Sequence, residues 1–186
     1  MKKSDIGGSA ARIACLAATA SLFAACTTLP ESGPRAEARL EPRSGSNVSG
    51  MVRFHAAGQK VRVEASVVGL TPGEHGFHVH EAGDCGAPDA TSAKGHFNPA
   101  AKPHGHHASA ERHAGDMPNL MADANGRATL IAELDMLQLS DGPNGIIQRS
   151  VVIHAERDDY ASQPAGNSGK RVACGVISAV APGNAY

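Results

Sequence analysis

The feature that most restricts what this chain can fold into is a histidine-rich segment, residues 74–116. It contains eight of the ten histidines of the 186-residue chain. Glycine and proline interrupt the segment repeatedly, and it has too little apolar content for packing alone to fix its shape. A bound metal ion would supply the fixed geometry that such a loop lacks. We therefore interpret the segment as a metal-binding region.

Strand geometry explains the spacing of His78 and His80. Alternate side chains of a β-strand share one face, so these two imidazoles lie on the same side of a strand. His154 ends a second apolar run that begins at Ser150, and it can meet them across a sheet. A histidine pair of this spacing, taken alone, is more often a surface or core pair than a metal site. The loop adds nitrogen and oxygen donors that favour metal ligation: His96, His104, His113 and Asp116.

The other histidines of the segment leave one choice of ligand open. Spacing alone would allow His104, His106 or His107 to join the donors that lie around His96 and His113. Two further histidines have structural interpretations. We expect His75 to be buried beside the His78 strand and bonded to backbone, and we expect His55 to lie on a strand surface.

Composition and turn residues indicate an all-β fold. The chain has 21 glycines and 11 prolines but only 3% aromatic residues, which is typical of many turns and a core built from small aliphatic side chains. Asn125-Gly126 is a hairpin turn signature. We predict a Greek-key β-sandwich or barrel of about eight antiparallel strands with two long functional loops, residues 81–117 and 155–170. The predicted strands are residues 48–54, 61–68, the His78 strand, 120–122, 127–134, 146–154 and 171–180.

The N-terminus predicts export. An apolar run, residues 13–25, follows a basic region and is too short to span a membrane. The sequence Leu22-Phe23-Ala24-Ala25-Cys26 resembles a bacterial lipoprotein signal. This predicts a signal peptide at residues 1–26, a lipid on Cys26 and a periplasmic protein tethered to the outer membrane. The alternative is an ordinary secretory signal that is cut after Ala18-Thr19-Ala20.

The predicted export sets the domain boundaries and the state of the cysteines. Residues 27–46 contain proline, glycine, serine and alternating charges, and they are interpreted as a flexible linker. The folded domain is then residues 47–186. Cys85 and Cys174 form the even pair that remains in an oxidising compartment, which predicts a disulfide bond.

The charge balance argues against one class of partner. The formal net charge is −1. A nucleic acid or an anionic membrane surface would require a basic face, so neither is expected as a main partner. Membrane contact is expected only through the lipid anchor.

Four stretches resemble the signature sequences of the copper/zinc superoxide dismutases. They are Gly76-Phe77-His78-Val79-His80-Glu81, Gly95-His96-Phe97-Asn98-Pro99, Glu111-Arg112-His113-Ala114-Gly115-Asp116 and Arg171-Val172-Ala173-Cys174-Gly175-Val176-Ile177. The resemblance runs in order from about residue 47 to residue 177. Ala90 stands where eukaryotic members have the loop cysteine, and the earlier position of Cys85 resembles bacterial periplasmic members.

The resemblance implies a role for each donor and an activity, the conversion of superoxide to oxygen and hydrogen peroxide. Asp158 would link a copper histidine to a zinc histidine. Arg171 would place the superoxide anion at copper, and His96 would bridge the two metals as an imidazolate and take up a proton when copper is reduced. One copper and one zinc per subunit are implied. The copper ligands would be His78, His80, His96 and His154, and the zinc ligands would be His96, His104, His113 and Asp116.

Two questions stay open at this point. A non-enzymatic metal-binding module, a copper store or a chaperone built on the same sandwich, would use many of the same ligands. Loss of a copper ligand or of Arg171 would favour that alternative, but every position is filled. The oligomeric state is also open, since bacterial members of the family occur as monomers and as homodimers.

Overall fold

The computed structural model of the protein describes residues 33–181. This part of the chain contains nine β-strands and one short 3-10 helix, Thr91–Ala93. The predicted signal peptide and Cys26 lie outside the described residues. The strands are β1 Arg35–Pro42, β2 Ser49–Ala57, β3 Lys60–Val68, β4 Gly73–His75, β5 Phe77–His80, β6 Leu120–Ala122, β7 Ala128–Leu134, β8 Ser150–His154 and β9 Arg171–Ala179.

The strands form one antiparallel sheet that curves almost into a closed barrel. Their order is β4-β6-β7-β3-β2-β1-β9-β8-β5. The two strands at the ends of this order, β4 and β5, follow each other in the chain and are separated only by Gly76. A single residue therefore connects the two edges of the sheet. The predicted all-β fold is confirmed.

Alternation of side chains places the core inside this sheet. In β3, Val61, Val63, Ala65 and Val67 are buried, whereas the residues between them are at least partly exposed. The fully buried side chains are mostly aliphatic, and Phe54 and Phe77 are the largest of them. The low aromatic content thus corresponds to a core packed from Val, Ile, Leu and Ala.

One domain boundary predicted from the sequence is wrong. Residues 35–42, expected to belong to a flexible linker, form β1, which pairs with β2 on one side and β9 on the other. Ala36, Ala38 and Leu40 are buried in the core. The segment alternates small apolar and charged residues, and alanine gives this period-two pattern a weak hydrophobic signal. The folded domain therefore begins before residue 47.

The start of β8 also differs from the prediction. A strand was expected from residue 146, but β8 begins at Ser150. Gln148 has a positive φ of 62° and Arg149 donates its N–H to the Ile146 carbonyl, so a turn precedes the strand. The buried Ile146 packs in the core from this turn.

The two long loops follow β5 and β8, as predicted. The predicted disulfide is also confirmed: Cys85, in the first loop, is bonded to Cys174 of β9, with a separation of 5.7 Å between the two Cα atoms. The bond fastens the first loop to a central strand of the sheet. Within residues 33–181, no helix is long and apolar enough to span a membrane.

Candidate metal centre

The candidate metal centre lies on the face of the β5–β8 pair that is turned away from the main core. Phe77 and Val79 of β5 belong to the main core, so His78 and His80 point to the other face. His78 pairs with Val152 of β8, which places His154, two residues further along β8, on the same face as His78. The two strands thus present three imidazoles to one side.

The first long loop folds over this face and adds the remaining donors. His96 forms an isolated antiparallel bridge with His80, and Asp116 forms one with His78. These backbone bridges extend the β5 edge locally, so residues far apart in the loop are held next to the strand. All of the side chains involved are buried.

The predicted donors converge into two adjoining sets that share His96. Within each set, the candidate ligand atoms all lie within 4.8 Å of one another. The sets contain every residue that the sequence indicated as a metal ligand, and no other described residue joins them. The first set is His78, His80, His96 and His154, and the second is His96, His104, His113 and Asp116.

Hydrogen bonding leaves one ring nitrogen of each strand histidine available. His80 Nδ1 donates to the Lys94 carbonyl at 3.0 Å, and His154 Nδ1 lies 3.2 Å from the Gly169 carbonyl oxygen. His78 Nε2 donates to the Asp158 carboxylate at 2.8 Å. The opposite nitrogens, His78 Nδ1, His80 Nε2 and His154 Nε2, are buried without a hydrogen-bond partner. A buried polar atom without a partner is costly, and a bound cation would satisfy all three.

His96 presents one nitrogen to each set. Its Nδ1 lies 2.9 Å from Asp116 Oδ1 and 3.4 Å from His113 Nδ1, and its Nε2 is buried without a hydrogen-bond partner. A neutral imidazole has only one free lone pair. Two cations bound at this ring would therefore require the imidazolate form, which the two positive charges stabilise.

The second set is an oxygen and nitrogen cluster centred on the carboxylate of Asp116. Oδ1 of this carboxylate lies 3.2 Å from His113 Nδ1, and Oδ2 lies 3.1 Å from His104 Nδ1. Oδ2 also accepts hydrogen bonds from the backbone N–H groups of His113, at 2.9 Å, and Gly105, at 3.1 Å. Three histidines and one carboxylate form a donor set typical of a closed zinc site.

Burial and neighbouring charges shift the histidine pKa values of the two sets in different directions. Burial lowers the pKa of His78, and it lowers the pKa values of His80 and His154 further, so these rings are neutral at pH 7. Burial, followed by the neighbouring His78, lowers the pKa of His96 to about 3. The first set therefore consists of neutral imidazoles, each with a lone pair to offer a metal ion.

The carboxylates attract positive charge to the second set. Burial acts to lower the pKa of His104, but the carboxylates of Asp116 and Asp158 raise it to about 9. Burial acts to raise the pKa of Asp116, yet its histidine neighbours, His104 first, hold it well below the usual range of a carboxyl group. The second set thus favours a cation electrostatically.

Asp158 and Arg171, the two residues predicted outside the ligand sets, make the following contacts. Asp158 is fully buried and accepts from His78 Nε2 at 2.8 Å and from His104 Nε2 at 2.9 Å, so its carboxylate joins a histidine of each set. Arg171 is partly buried, and its Nη1 donates to the Ala90 carbonyl at 2.7 Å. That bond holds the guanidinium against the loop that the disulfide fastens.

The remaining histidines lie outside both sets. His75 is buried, as expected, with Nδ1 at 2.9 Å from the His154 carbonyl oxygen and Nε2 at 2.8 Å from the Thr71 carbonyl oxygen. His106 is exposed and His107 is half-buried, so His104 is the member of the trio that reaches the second set. His55 is half-buried on β2.

Sequence reasoning missed Asn119, which fixes the backbone of Asp158. Asn119 Oδ1 accepts from the Asp158 N–H at 3.0 Å, and Asn119 Nδ2 donates to the Asp158 carbonyl at 2.9 Å. The two residues are 39 positions apart. Only the folded loops bring them together, and no local pattern in the sequence indicates this contact.

The fold and these donor sets define a β-barrel protein with two adjoining sets of side chains that could hold metal ions on the outer face of the sheet. Comparison with known families specifies the class further. The family model of copper/zinc superoxide dismutase (SODC) matches residues 48–177. The chain belongs to this family, whose members are oxidoreductases that use copper and zinc.

Individual relatives support the family assignment. The superoxide dismutase (Cu-Zn) of Deinococcus radiodurans is 38% identical over 170 residues, which are 85% of this chain and 91% of the relative. An extracellular superoxide dismutase (Cu-Zn) of Brugia pahangi is 40% identical over 141 residues, 71% of this chain and 70% of the relative. Among solved structures, the crystal structure of the clock protein EA4 matches with a TM-score of 0.72 and 42% identity, over 79% of this chain and 95% of the other.

Proposed function

We propose that the first donor set holds copper and the second holds zinc, in an exported enzyme that converts superoxide to oxygen and hydrogen peroxide. The observation that supports this assignment best is the set of buried ring nitrogens without hydrogen-bond partners in the first donor set: His78 Nδ1, His80 Nε2, His96 Nε2 and His154 Nε2. Each belongs to a histidine whose other nitrogen is already fixed by a carbonyl or carboxylate. Such pairs of contacts orient metal-binding histidines in proteins.

The chemistry of the donors separates the two metals. Copper, when bound, supplies the one-electron redox chemistry, and zinc supplies a fixed positive charge without redox activity. Four imidazoles suit copper, whereas three histidines and Asp116 suit zinc in a closed structural site. The buried Asp158 carboxylate holds one histidine of each set, which couples the geometry of the two sites.

Arg171 is the residue that we assign to binding the substrate anion. Its bond to the Ala90 carbonyl uses one N–H donor and leaves others for a small anion. Fixing the guanidinium in advance lowers the entropic cost of placing superoxide next to the first donor set. His96 lies between the two sets, and its Nε2 is the atom that we expect to carry a proton during turnover.

We further propose that the protein works in the periplasm, tethered to the outer membrane through a lipid on Cys26. The lipoprotein-like sequence before Cys26 and the Cys85–Cys174 disulfide support this proposal, because disulfides persist in oxidising compartments. The Brugia pahangi relative is named as extracellular. Replacing Cys26 by serine should abolish the incorporation of labelled fatty acid into the protein. Incorporation that is unchanged in the variant would refute Cys26 as the site of the lipid anchor.

The first test of the function is superoxide dismutation by the purified protein loaded with copper and zinc, beside a His154→Ala variant. We expect rapid copper-dependent turnover that the substitution abolishes, because His154 offers one of the unpartnered nitrogens. Binding of both metals without turnover would instead favour a copper store or chaperone.

A further inference from the structure

We propose that Gln163 is a positioning residue for the candidate zinc ligand His104. The inference rests on the proposed assignment of the second donor set to zinc. Gln163 lies in the loop between β8 and β9, residues 155–170, whereas His104 lies in the loop between β5 and β6, residues 81–119. The proposed contact therefore joins the two loops that cover the metal centre.

The side-chain amide of Gln163 holds both polar backbone groups of His104. The His104 N–H donates to Gln163 Oε1 at 2.8 Å, and Gln163 Nε2 donates to the His104 carbonyl at 2.9 Å. A neighbouring β-strand would exchange the same two hydrogen bonds with one residue of an antiparallel pair. The amide thus replaces the strand that His104 lacks.

His104 needs such a partner because it lies in an irregular segment. In the described part of the chain, neither its N–H nor its carbonyl forms a hydrogen bond with another backbone group. The strand histidines of the first donor set differ in this respect: His78 and His80 lie on β5, and His154 ends β8. Their backbones are therefore held by the sheet, whereas the backbone of His104 is held by a side chain.

The loop 155–170 holds His104 at two separate points. Gln163 fixes the backbone, and Asp158 Oδ1 accepts from His104 Nε2 at 2.9 Å. With both ends of the residue held, Nδ1 is directed at Asp116, where it lies 3.1 Å from Oδ2. Without the Gln163 amide, the loop 155–170 would hold His104 only through the hydrogen bond from Nε2 to Asp158. The backbone of His104 could then shift, and the direction of Nδ1 would change with it.

A second amide makes the corresponding contact in the opposite direction. Asn119, at the end of the first loop, holds the backbone N–H and carbonyl of Asp158, in the second loop. Asp158 and His104 are hydrogen-bonded to each other across the two loops. The backbone of each is held by an amide side chain from the opposite loop: Gln163 holds His104, and Asn119 holds Asp158. We infer that Gln163 couples the order of the loop 155–170 to zinc binding, with much less effect on copper.

The test compares Gln163→Met with Ser162→Ala in the protein loaded with copper and zinc. Methionine has nearly the shape of glutamine but cannot make either hydrogen bond. Ser162→Ala is the matched control, because the Ser162 hydroxyl bonds only within its own loop, to Asp159 and Asn167. Release of each metal to a chromophoric chelator is followed separately, and the visible spectrum of cobalt placed in the zinc site reports the ligand geometry.

We expect Gln163→Met to release zinc about 10-fold faster than the unmodified protein. Loss of a contact that orients a metal ligand typically lowers metal affinity by about 10–100-fold, and this estimate takes the lower end of that range. Copper release should change less than about twofold, and the cobalt spectrum should shift, whereas Ser162→Ala should leave all three readouts unchanged. Equal acceleration of copper and zinc release would show general loosening of the loop and refute the positioning role. If the unmodified protein holds zinc and Gln163→Met releases it at the same rate, the positioning role of Gln163 is refuted and the assignment of the second donor set to zinc is not. An unmodified protein that holds no zinc would refute the metal assignment itself.

Discussion

The backbone of Gly166 passes so close to the Asp158 carboxylate that a Cβ atom at position 166 would overlap Asp158 Oδ1. The same Cβ would lie 2.8 Å from His104 Nε2, and the φ angle of Gly166 is +65°. Glycine is therefore required here both for its backbone conformation and for the space that it leaves. The hydrogen bond from His104 Nε2 to Asp158 Oδ1 therefore leaves no room for a side chain at position 166.

Gly166→Ala should disturb the metal centre as well as the stability of the protein. A side chain at a positive φ costs of order 1–3 kcal/mol, and the overlap must in addition displace Asp158. We expect a lower melting temperature and reduced metal content after purification, measured by calorimetry and by elemental analysis. Gly58→Ala is the matched control, since Gly58 has a φ of +62° and nothing within 4 Å of a Cβ. Equal effects of the two substitutions would contradict a special role for Gly166.

Asp158→Asn should weaken the binding of both metals. An asparagine side chain has one oxygen and carries no charge, so it cannot accept from His78 and His104 as the carboxylate does. Loss of a contact that orients a ligand typically costs 10–100-fold in metal affinity. Competition with a chelator measures the effect. Asp159→Asn, at the neighbouring position, whose carboxylate bonds within its own loop, is the control and should retain both metals.

Removing the disulfide should lower the free energy of unfolding by about 4.6 kcal/mol in the chain-entropy model. The bond closes a loop between residues 89 positions apart. Replacing both cysteines by serine, with unfolding by denaturant as the readout, checks this value. We also expect slower dismutation, because the fastened loop supplies the Ala90 carbonyl that holds Arg171. Full activity in the double variant would show that Arg171 is positioned without the bond.

Leu40→Ala should destabilise the protein by about 2–5 kcal/mol, the usual range for a leucine lost from a core. Leu40 is only 2% exposed on β1, the strand expected to be a linker. Arg39→Ala, on the exposed side of the same strand, should change the free energy of unfolding by less than about 0.5 kcal/mol. Equal, small effects of the two substitutions in denaturant unfolding would restore the linker interpretation.

Asp159 should contribute to stability in a narrow acidic range. Hydrogen bonds from the Ser162 hydroxyl and from backbone N–H groups lower the pKa of this carboxyl to about 2. Because the folded pKa lies below the unfolded value of about 3.9, the contribution is complete above that value and disappears as the pH falls towards 2. Asp159→Asn should therefore reduce the pH dependence of the melting temperature between about pH 4 and 2 in the metal-free protein. An unchanged profile would contradict this role.

Much of the fold could be predicted because its signals are local. Period-two alternation marks β2, β3 and β7, and Asn125-Gly126 marks the turn between β6 and β7. Alanine-rich β1 gave too weak a hydrophobic contrast to be recognised. The strand predicted from residue 146 includes a turn at Gln148 that the sequence did not reveal. Apolar residues such as Ile146 can be buried in a turn as well as in a strand, so composition does not distinguish the two.

The sequence by itself determined the chemistry of the centre: the strand spacing of His78 and His80 and the donors of the following loop require only local geometry and known ligand preferences. Only the tertiary structure decided which atoms face which site. It identified His78 and His104 as the histidines that Asp158, assigned from the family resemblance, contacts, and it placed Asn119 and Gln163 on the backbones of residues in the opposite loop. These contacts join residues 39 to 80 positions apart. Their formation depends on the path of two irregular loops over a closed sheet, which no period in the sequence encodes.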